Sequence, residues 1–299
     1  MASVLVTGSS GFLGRALLPR LTQGGHRLVG LDPAPASGSG YHHVTENLSD
    51  QGRLTDLLAA HRITHVIHAG GVSGPMVLSD RPAEVMAINV MGSLNLLQAA
   101  LQAGVETFVY CSSVSAIGNY YENQPIREDH PMRPVHPYGA SKAATDMVLH
   151  GLWGRVRLDL CSLRFTTIYG PGRRTSLVLD EIVAAALAGR EVRVPASTDA
   201  PYIFIDDAAD ALVAACFSRG RRQLAYFVAY PEQVSLSDIA AAAAAAGRPV
   251  RLVIDETHPA AARGPLDIGA AVRDFGFAPK VDHRKGIRRM IAARTTAVG

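Results

Sequence analysis

Val4-Leu5-Val6-Thr7-Gly8-Ser9-Ser10-Gly11-Phe12-Leu13-Gly14 joins a short apolar run to three glycines spaced by three, and an apolar pattern continues through Ala16, Leu17 and Leu18. The order predicts strand, tight turn, helix. Gly8 allows the sharp exit from the strand, Gly11 lets backbone N–H groups approach a pyrophosphate, and Gly14 lets the helix lie close on the sheet. The unpaired N–H groups and positive dipole end of the helix then face the diphosphate. The spacing is one residue longer than the commonest dinucleotide fingerprint, so the strand before and the helix after carry the reading.

His26 to Asp32 follows as a second strand, and Asp32 stands 24 residues beyond Gly8. A carboxylate at that strand end can accept both ribose hydroxyls and repels a 2′-phosphate, which favours NAD over NADP. Further out, a helix is expected over roughly 50–61, capped by Ser49 or Asp50, and a strand over Thr64–Ala69. A long helical pattern covers Ala83–Ala103, with Asn89 placed to bridge backbone groups. Strands are expected over Thr107–Ser113 and Leu158–Phe165, with a helix from His136 between them. Alternating strands and helices call for a doubly wound parallel α/β sheet with helices on both faces.

The last third is less regular. It reads as a helix over Ser176–Gly189, short strands at Glu191–Val194 and Tyr202–Ile205, and a helix capped by Asp206. A strand at Leu224–Val228, an alanine helix capped by Ser237-Asp238, and a final helix from Arg284 complete it.

Composition limits the function classes. The chain of 299 residues is 48% hydrophobic and 18% charged with net charge +3, so a large core is possible and no broad basic face suggests nucleic acid. Arg284, Lys285, Arg288 and Arg289 read as a solvated helix face. Cys111, Cys161 and Cys216 sit in apolar contexts without a C-x-x-C, which points to buried thiols in a reducing cytosol and not to disulfides or zinc. His65 and His68 point to opposite faces of a strand and make no metal pair. No apolar run is expected to reach the ~20 residues of a membrane span, and Met1-Ala2-Ser3 leads directly into the first strand, so a cytoplasmic protein is expected.

Tyr138 and Lys142 are four apart and share a helix face. An ammonium beside a phenol, with a cationic nicotinamide nearby, favours the phenolate, so a group of ordinary pKa ~10 can act as a base near neutrality. A hydroxyl from Ser113, at a strand end, can hold a carbinol or carbonyl oxygen. Together these supply acid–base chemistry for hydride transfer.

With Thr7–Gly14, Asp32, His68-Ala69-Gly70, Asn89 with Gly92, Ser112-Ser113, Tyr138–Lys142, Arg164-Phe165, Tyr169-Gly170-Pro171-Gly172 and Ile205-Asp206-Asp207, the chain resembles extended short-chain dehydrogenase/reductases of the NAD-dependent epimerase/dehydratase family. The resemblance implies catalytic Ser113, Tyr138 and Lys142. It implies NAD contacts from Gly8, Ser10, Gly11, Phe12, Leu13, Gly14, Asp32, Asn47, Leu48, Ala69, Gly70, Gly71, Asn89, Tyr138, Lys142 and Phe165. Substrate contacts are expected from Ser73, Ser113, Ser115, Arg173 and Arg174, with no metal. The resemblance further implies a dinucleotide domain at 1–168 plus roughly 202–229, a smaller C-terminal substrate domain at roughly 169–201 and 230–299, and a homodimer through Ala83–Ala103 and Tyr138–Trp153.

Departures narrow the reaction. Dehydratases of the family carry Asp-Glu where this chain has Val114-Ser115, and decarboxylating relatives need a Glu near Ser115. Nucleotide-sugar enzymes usually place an Arg seven residues before the second Asp of the Asp-Asp pair; here that position is Ala200, as in the threonine dehydrogenase branch, unless Arg173 or Arg174 compensates. The leading expectation is NAD-dependent oxidation of a secondary alcohol on a small polar or sugar-like substrate. The alternatives are a nucleotide-sugar 4-epimerase that retains its NAD, and a non-catalytic NAD-sensing protein. Specificity is expected from loops 71–79, 118–133 and 171–176 and from residues 195–202.

Overall fold

The computed structural model describes residues 1–36, 38–120, 124–196, 199–257 and 264–296. Among them the strands are β1 (Ser3–Thr7), β2 (Arg27–Leu31), β3 (His42–Val44), β4 (His65–His68), β5 (Thr107–Ser113), β6 (Asp159–Phe165), β7 (Thr167–Tyr169), β8 (Val192–Pro195), β9 (Ala200–Phe204), β10 (Ala225–Val228), β11 (Gln233–Val234) and β12 (Leu252–Asp255). The helices are α1 (Phe12–Gln23), α2 (Gln51–Ala60), α3 (Pro82–Met86), α4 (Gly92–Gln102), α5 (Pro137–Leu152), α6 (Val178–Ala188), α7 (Ile205–Phe217), α8 (Leu236–Ala245), α9 (Gly269–Phe275) and α10 (His283–Thr296).

The central sheet runs β10-β6-β5-β4-β1-β2-β3, every pair parallel. Side chains alternate along each strand, so one face takes Val4, Val6, Ile67 and Val109 and the other takes Leu5, Val66, Phe108 and Tyr110. Against the first face lie Leu17, Leu18 and Leu21 of α1 and Ala208, Ala211 and Leu212 of α7. The second is covered by Leu54 and Leu58 of α2, Leu96 and Leu97 of α4 and Leu149 of α5. Both faces are dry, as parallel sheets require. The strand order reverses between β1 and β4, and the crevice for ligands in such sheets opens beyond the carboxyl ends at that point. A third core joins α6, α8, α10, β8 and β9 through Ile182, Val194, Phe204, Ile239 and Ile287.

Several elements differ from expectation. The helix of Ala83–Ala103 begins at Pro82 and carries a π-helical turn over Ala87–Met91 between α3 and α4. Its whole length, Pro82–Gln102, is long and apolar enough to cross a membrane, which corrects the expectation that no segment reaches that length; half of it is buried inside this fold. Asp206 does not cap α7, which starts at Ile205 after Phe204. Its carboxylate is held by Arg20 at 3.0 Å and Arg289 at 2.5 Å. The alanine helix is capped by Ser235, whose hydroxyl takes the Asp238 N–H at 3.0 Å while Asp238 accepts from the Ser235 N–H, a reciprocal box. β3, β7, β11, β12 and α9 had no sequence signal; β3 is short and polar, and shows none of the apolar alternation that marks a strand.

Candidate active site

A cavity of about 1130 Å³ lies beyond the carboxyl ends of β1, β4 and β5. It exceeds the 300–1,000 Å³ usual for one small ligand, so it has room for a dinucleotide and a second molecule. Of the candidate cofactor residues, Gly8, Gly11, Phe12, Leu13, Asp32, Asn47, Leu48, Ala69, Gly70, Gly71, Tyr138, Lys142 and Phe165 line it. Ser10, Gly14 and Asn89 do not; each stands behind the wall and shapes it. The substrate candidates Ser73, Ser113, Ser115, Arg173 and Arg174 all line the same space. Residues 121–123 and 197–198 of the expected specificity segments lie outside the described residues.

The glycine turn is built by exclusion. A Cβ on Gly14 would stand 2.2 Å from the Gly8 carbonyl oxygen, so only glycine lets α1 sit this close. Gly8 has φ +68°, and a Cβ there would meet the Ala69 carbonyl oxygen at 2.7 Å. No side chain caps the N-terminus of α1. Its first residues, Phe12 and Leu13, face the cavity with donors that suit a pyrophosphate. Nearby, Asp32 accepts the Ser10 N–H on one oxygen at 3.1 Å and the Ala34 N–H on the other at 2.9 Å. Each oxygen keeps a lone pair for a ribose hydroxyl. This uncapped helix end and acidic strand end fit NAD.

Behind the wall a directional hydrogen-bond chain fixes the β4 end. The Gly70 N–H donates to Thr7 Oγ1 at 3.0 Å, and Thr7 Oγ1 lies 2.7 Å from His68 Nδ1. His68 Nε2 lies 2.8 Å from Ser93 Oγ, which donates to the Asn89 carbonyl. This order requires the neutral Nε2–H tautomer, and burial pushes His68 down to about 3. Asn89 Oδ1 takes the Val72 N–H at 2.8 Å, while its Nδ2 donates to the Val72 carbonyl at 3.2 Å and to Ser141 Oγ at 2.9 Å. Asn89 therefore staples the wall loop to α5, a bridging role its sequence context predicted, and is not itself a cavity residue.

α5 brings the acid–base groups to this wall. The His136 ring accepts the Gly139 N–H at 2.9 Å and caps the helix, with Pro137 fixing its first turn. Gly139 has no room for a Cβ: one would lie 2.3 Å from the Ser115 carbonyl oxygen. This close approach brings Tyr138 to the cavity that Ser113 also lines, and its glycine requirement was not foreseen. Ser113 Oγ accepts the Ser115 N–H at 3.1 Å. Lys142 is buried, donates to the Cys111 carbonyl at 2.8 Å, and stands 5.9 Å from the centre of the Tyr138 ring. Burial pushes its pKa down to about 8.

One buried network escaped the sequence reading. Asp146, one turn beyond Lys142, accepts from Ser112 Oγ at 3.0 Å, Ser162 Oγ at 2.5 Å and Arg164 Nε at 2.8 Å. Arg164 Nη1 donates to the Glu128 carbonyl at 2.7 Å. The ion pair is almost fully buried, at 5% and 1% exposure. It ties α5 to β5 and β6 directly beneath Ser113.

The sequence model of the NAD dependent epimerase/dehydratase family matches residues 4–228. UDP-glucose 4-epimerase of Mycolicibacterium smegmatis (strain ATCC 700084 / mc(2)155) is 31% identical over 96% of this chain and 96% of that protein. The structure of a Thermus thermophilus UDP-glucose 4-epimerase in complex with NAD aligns over 99% of each chain, with TM-score 0.85 and 28% identity. A UDP-glucose 4-epimerase from Stenotrophomonas maltophila shares the fold, with TM-score 0.91 and 24% identity, over 100% of this chain and 99% of that one. With the parallel sheet, the glycine turn and the Tyr138–Lys142 helix, these matches place the chain in the NAD-dependent epimerase/dehydratase family of extended short-chain dehydrogenase/reductases.

Proposed function

We propose that this protein transfers a hydride between NAD and a secondary carbinol of a small polar or sugar-like substrate, with Tyr138 exchanging the hydroxyl proton. The observation that carries this reading is that Ser113, Tyr138 and Lys142 line the same cavity as the glycine turn and Asp32. NAD, when bound, supplies the two-electron acceptor at its nicotinamide. The α1 N-terminus would hold its pyrophosphate and Asp32 its adenosine ribose. Ser113 Oγ positions the reacting oxygen, and its other contact, from Ser115 N–H, leaves its own proton free to donate. The Lys142 ammonium stabilises the phenolate and so matches the base to neutral pH. Val114 and Ser115 supply no second acid–base pair, which supports simple oxidation over dehydration.

A second reading, a nucleotide-sugar 4-epimerase, is favoured by the names of the relatives and by the size of the cavity. Purified protein offered aldonates, aldoses, amino-alcohols and UDP-sugars separates the two. Net NADH formation at 340 nm with exchangeable NAD supports the dehydrogenase. Stoichiometric retained NAD with sugar inversion and no net NADH supports the epimerase. Neither result on any of these compounds would overturn both.

The pH dependence has a definite sign. Above pH about 8 the free enzyme loses the Lys142 charge, so kcat/KM for NAD should fall about tenfold per pH unit. Stability moves the other way. An unfolded lysine keeps its proton to about pH 10.4, so between about pH 8 and that value the unfolded state binds more protons and this group's contribution to stability rises with pH. A flat kcat/KM profile from pH 7 to 9.5 would contradict the role of the ammonium.

A homodimer fits the surface. Met86, Ile88 and Met91, on α3 and the π-helical turn, and Met147 and Val148 on α5 with Trp153 beyond it, are each 37–67% exposed on neighbouring elements. A monomer mass in sedimentation equilibrium at micromolar concentration would contradict this pairing. We also take 1–168 with roughly 202–229 as the dinucleotide unit and the remainder as the substrate unit; Ile182, Val194, Ile239 and Ile287 of the third core fall in that remainder, and Phe204 and Ile205 join it from the dinucleotide unit. The three buried unpaired cysteines support a cytosolic location.

A further inference from the structure

We propose that Arg173 and Arg174 form a subsite for a carboxylate, so that the carbinol oxidised here belongs to a sugar-acid type of hydroxy acid. The inference rests on the hydride-transfer reading above. The cavity divides by charge. Its acidic lining residues among those described are Asp32 and Glu46, both at the ribose end; Arg173 and Arg174 line it together with the hydroxyl side chains of Ser73, Ser115 and Thr175. A cationic, hydroxyl-rich pocket selects an anion that also carries hydroxyls.

Arg173 is held in place by main-chain carbonyls, with Asp180 acting on it only from beyond ion-pair distance. Its Nε donates to the Thr175 carbonyl at 3.0 Å, its Nη1 to the Ile168 carbonyl at 2.9 Å, and the guanidinium lies 5.9 Å from the Phe12 ring centre. It makes no ion pair among the described residues. Asp180 is already engaged, with Arg294 on one oxygen at 2.6 Å and the Leu177 N–H on the other at 3.1 Å. Burial lowers the Arg173 pKa, and the charge of Asp180 opposes that only in part. An incoming carboxylate would give Arg173 the close partner that Asp180, bonded elsewhere, does not supply. The loop is also tied to the NAD site. Arg15 donates to the Ser10 carbonyl in the glycine turn at 3.0 Å and to the Gly172 carbonyl at 2.7 Å.

The planar guanidinium fork matches a carboxylate or a phosphate with two parallel hydrogen bonds, and position favours the carboxylate. Arg173 is close enough to Tyr138 for their charges to interact. A group bound there sits near the reacting carbon, whereas a nucleotide sugar keeps its diphosphate a whole ring away from carbon four.

Calorimetric titration of the NAD complex with D-gluconate and D-glucuronate, against sorbitol, glucose and UDP, tests the assignment. We expect at least one sugar acid to bind about 10- to 100-fold more tightly than its neutral counterpart, the yield of one charge-assisted pair. That preference should collapse in Arg174→Gln and in Arg173→Gln, with NAD affinity unchanged. Arg174 is exposed and makes no hydrogen bond or ion pair among the described residues, so its variant remains informative if Arg173→Gln fails to fold. Equal binding of acids and neutral sugars, or UDP binding that depends on the same arginines, overturns the carboxylate subsite. The underlying reading fails separately: a sugar acid that binds through these arginines but yields no NADH leaves the subsite and removes the redox assignment. Equal oxidation of neutral polyols and acids does the reverse.

Discussion

Replacing Tyr138 with Phe should lower kcat by about 10²- to 10⁴-fold, the usual contribution of a positioned general base, while NAD affinity stays within about threefold of wild type. The change removes one oxygen and leaves the ring in its stacked position against His136, at 6.0 Å between centres. The capping bond of His136 to Gly139 and the Lys142 bond to the Cys111 carbonyl do not involve the phenol oxygen. The fold and the cofactor cradle should therefore persist, and only the proton acceptor is lost. Steady-state NADH formation and quenching of protein fluorescence by NAD measure the two halves. Turnover within tenfold of wild type would remove Tyr138 from the chemistry.

The second large effect is on stability. Asp146→Ala should destabilise the protein by about 3–5 kcal/mol, the cost of stranding a buried partner charge. The Arg164 guanidinium would remain at the β5–β6 junction with the Glu128 carbonyl as its only other acceptor among the described residues, and Ser112 and Ser162 would lose theirs. Urea unfolding should show a lower midpoint with an unchanged slope. The double variant Asp146→Ala/Arg164→Met should recover much of the loss, because no isolated charge remains. A single variant within 1 kcal/mol of wild type would contradict the account of this network.

Legibility in the sequence followed how local each constraint is. The glycine turn was readable because each glycine answers a steric demand within a few residues: Gly14 meets the Gly8 carbonyl, six positions away. Ser113, Tyr138 and Lys142 were readable because strand ends and four-residue helical spacing place side chains predictably. Asp146 was not, since an acidic residue late in a helix has the pattern of a solvated one, and its partner Arg164 lies 18 positions on and across a helix–sheet contact. Gly139 belongs to the same class, because its clash is with Ser115, in a different element. The π-helical turn over Ala87–Met91 shifts hydrogen bonds by one residue without changing composition, so nothing in the apolar pattern marks it. The cap misassignments have a simpler cause. Ser235, Ser237 and Asp238 are all good caps by type, and only the three-residue step from Ser235 to Asp238 closes the reciprocal box.

The most direct measurement is a crystal structure with NAD and an unreacted carbinol substrate, read at one distance. The account predicts the Tyr138 phenol oxygen at about 2.6–3.2 Å from the hydroxyl oxygen whose carbon faces the nicotinamide, with Ser113 Oγ on that same oxygen. A substrate hydroxyl bound beside the nicotinamide but out of reach of the phenol, with some other side chain or an ordered water in its place, would contradict it.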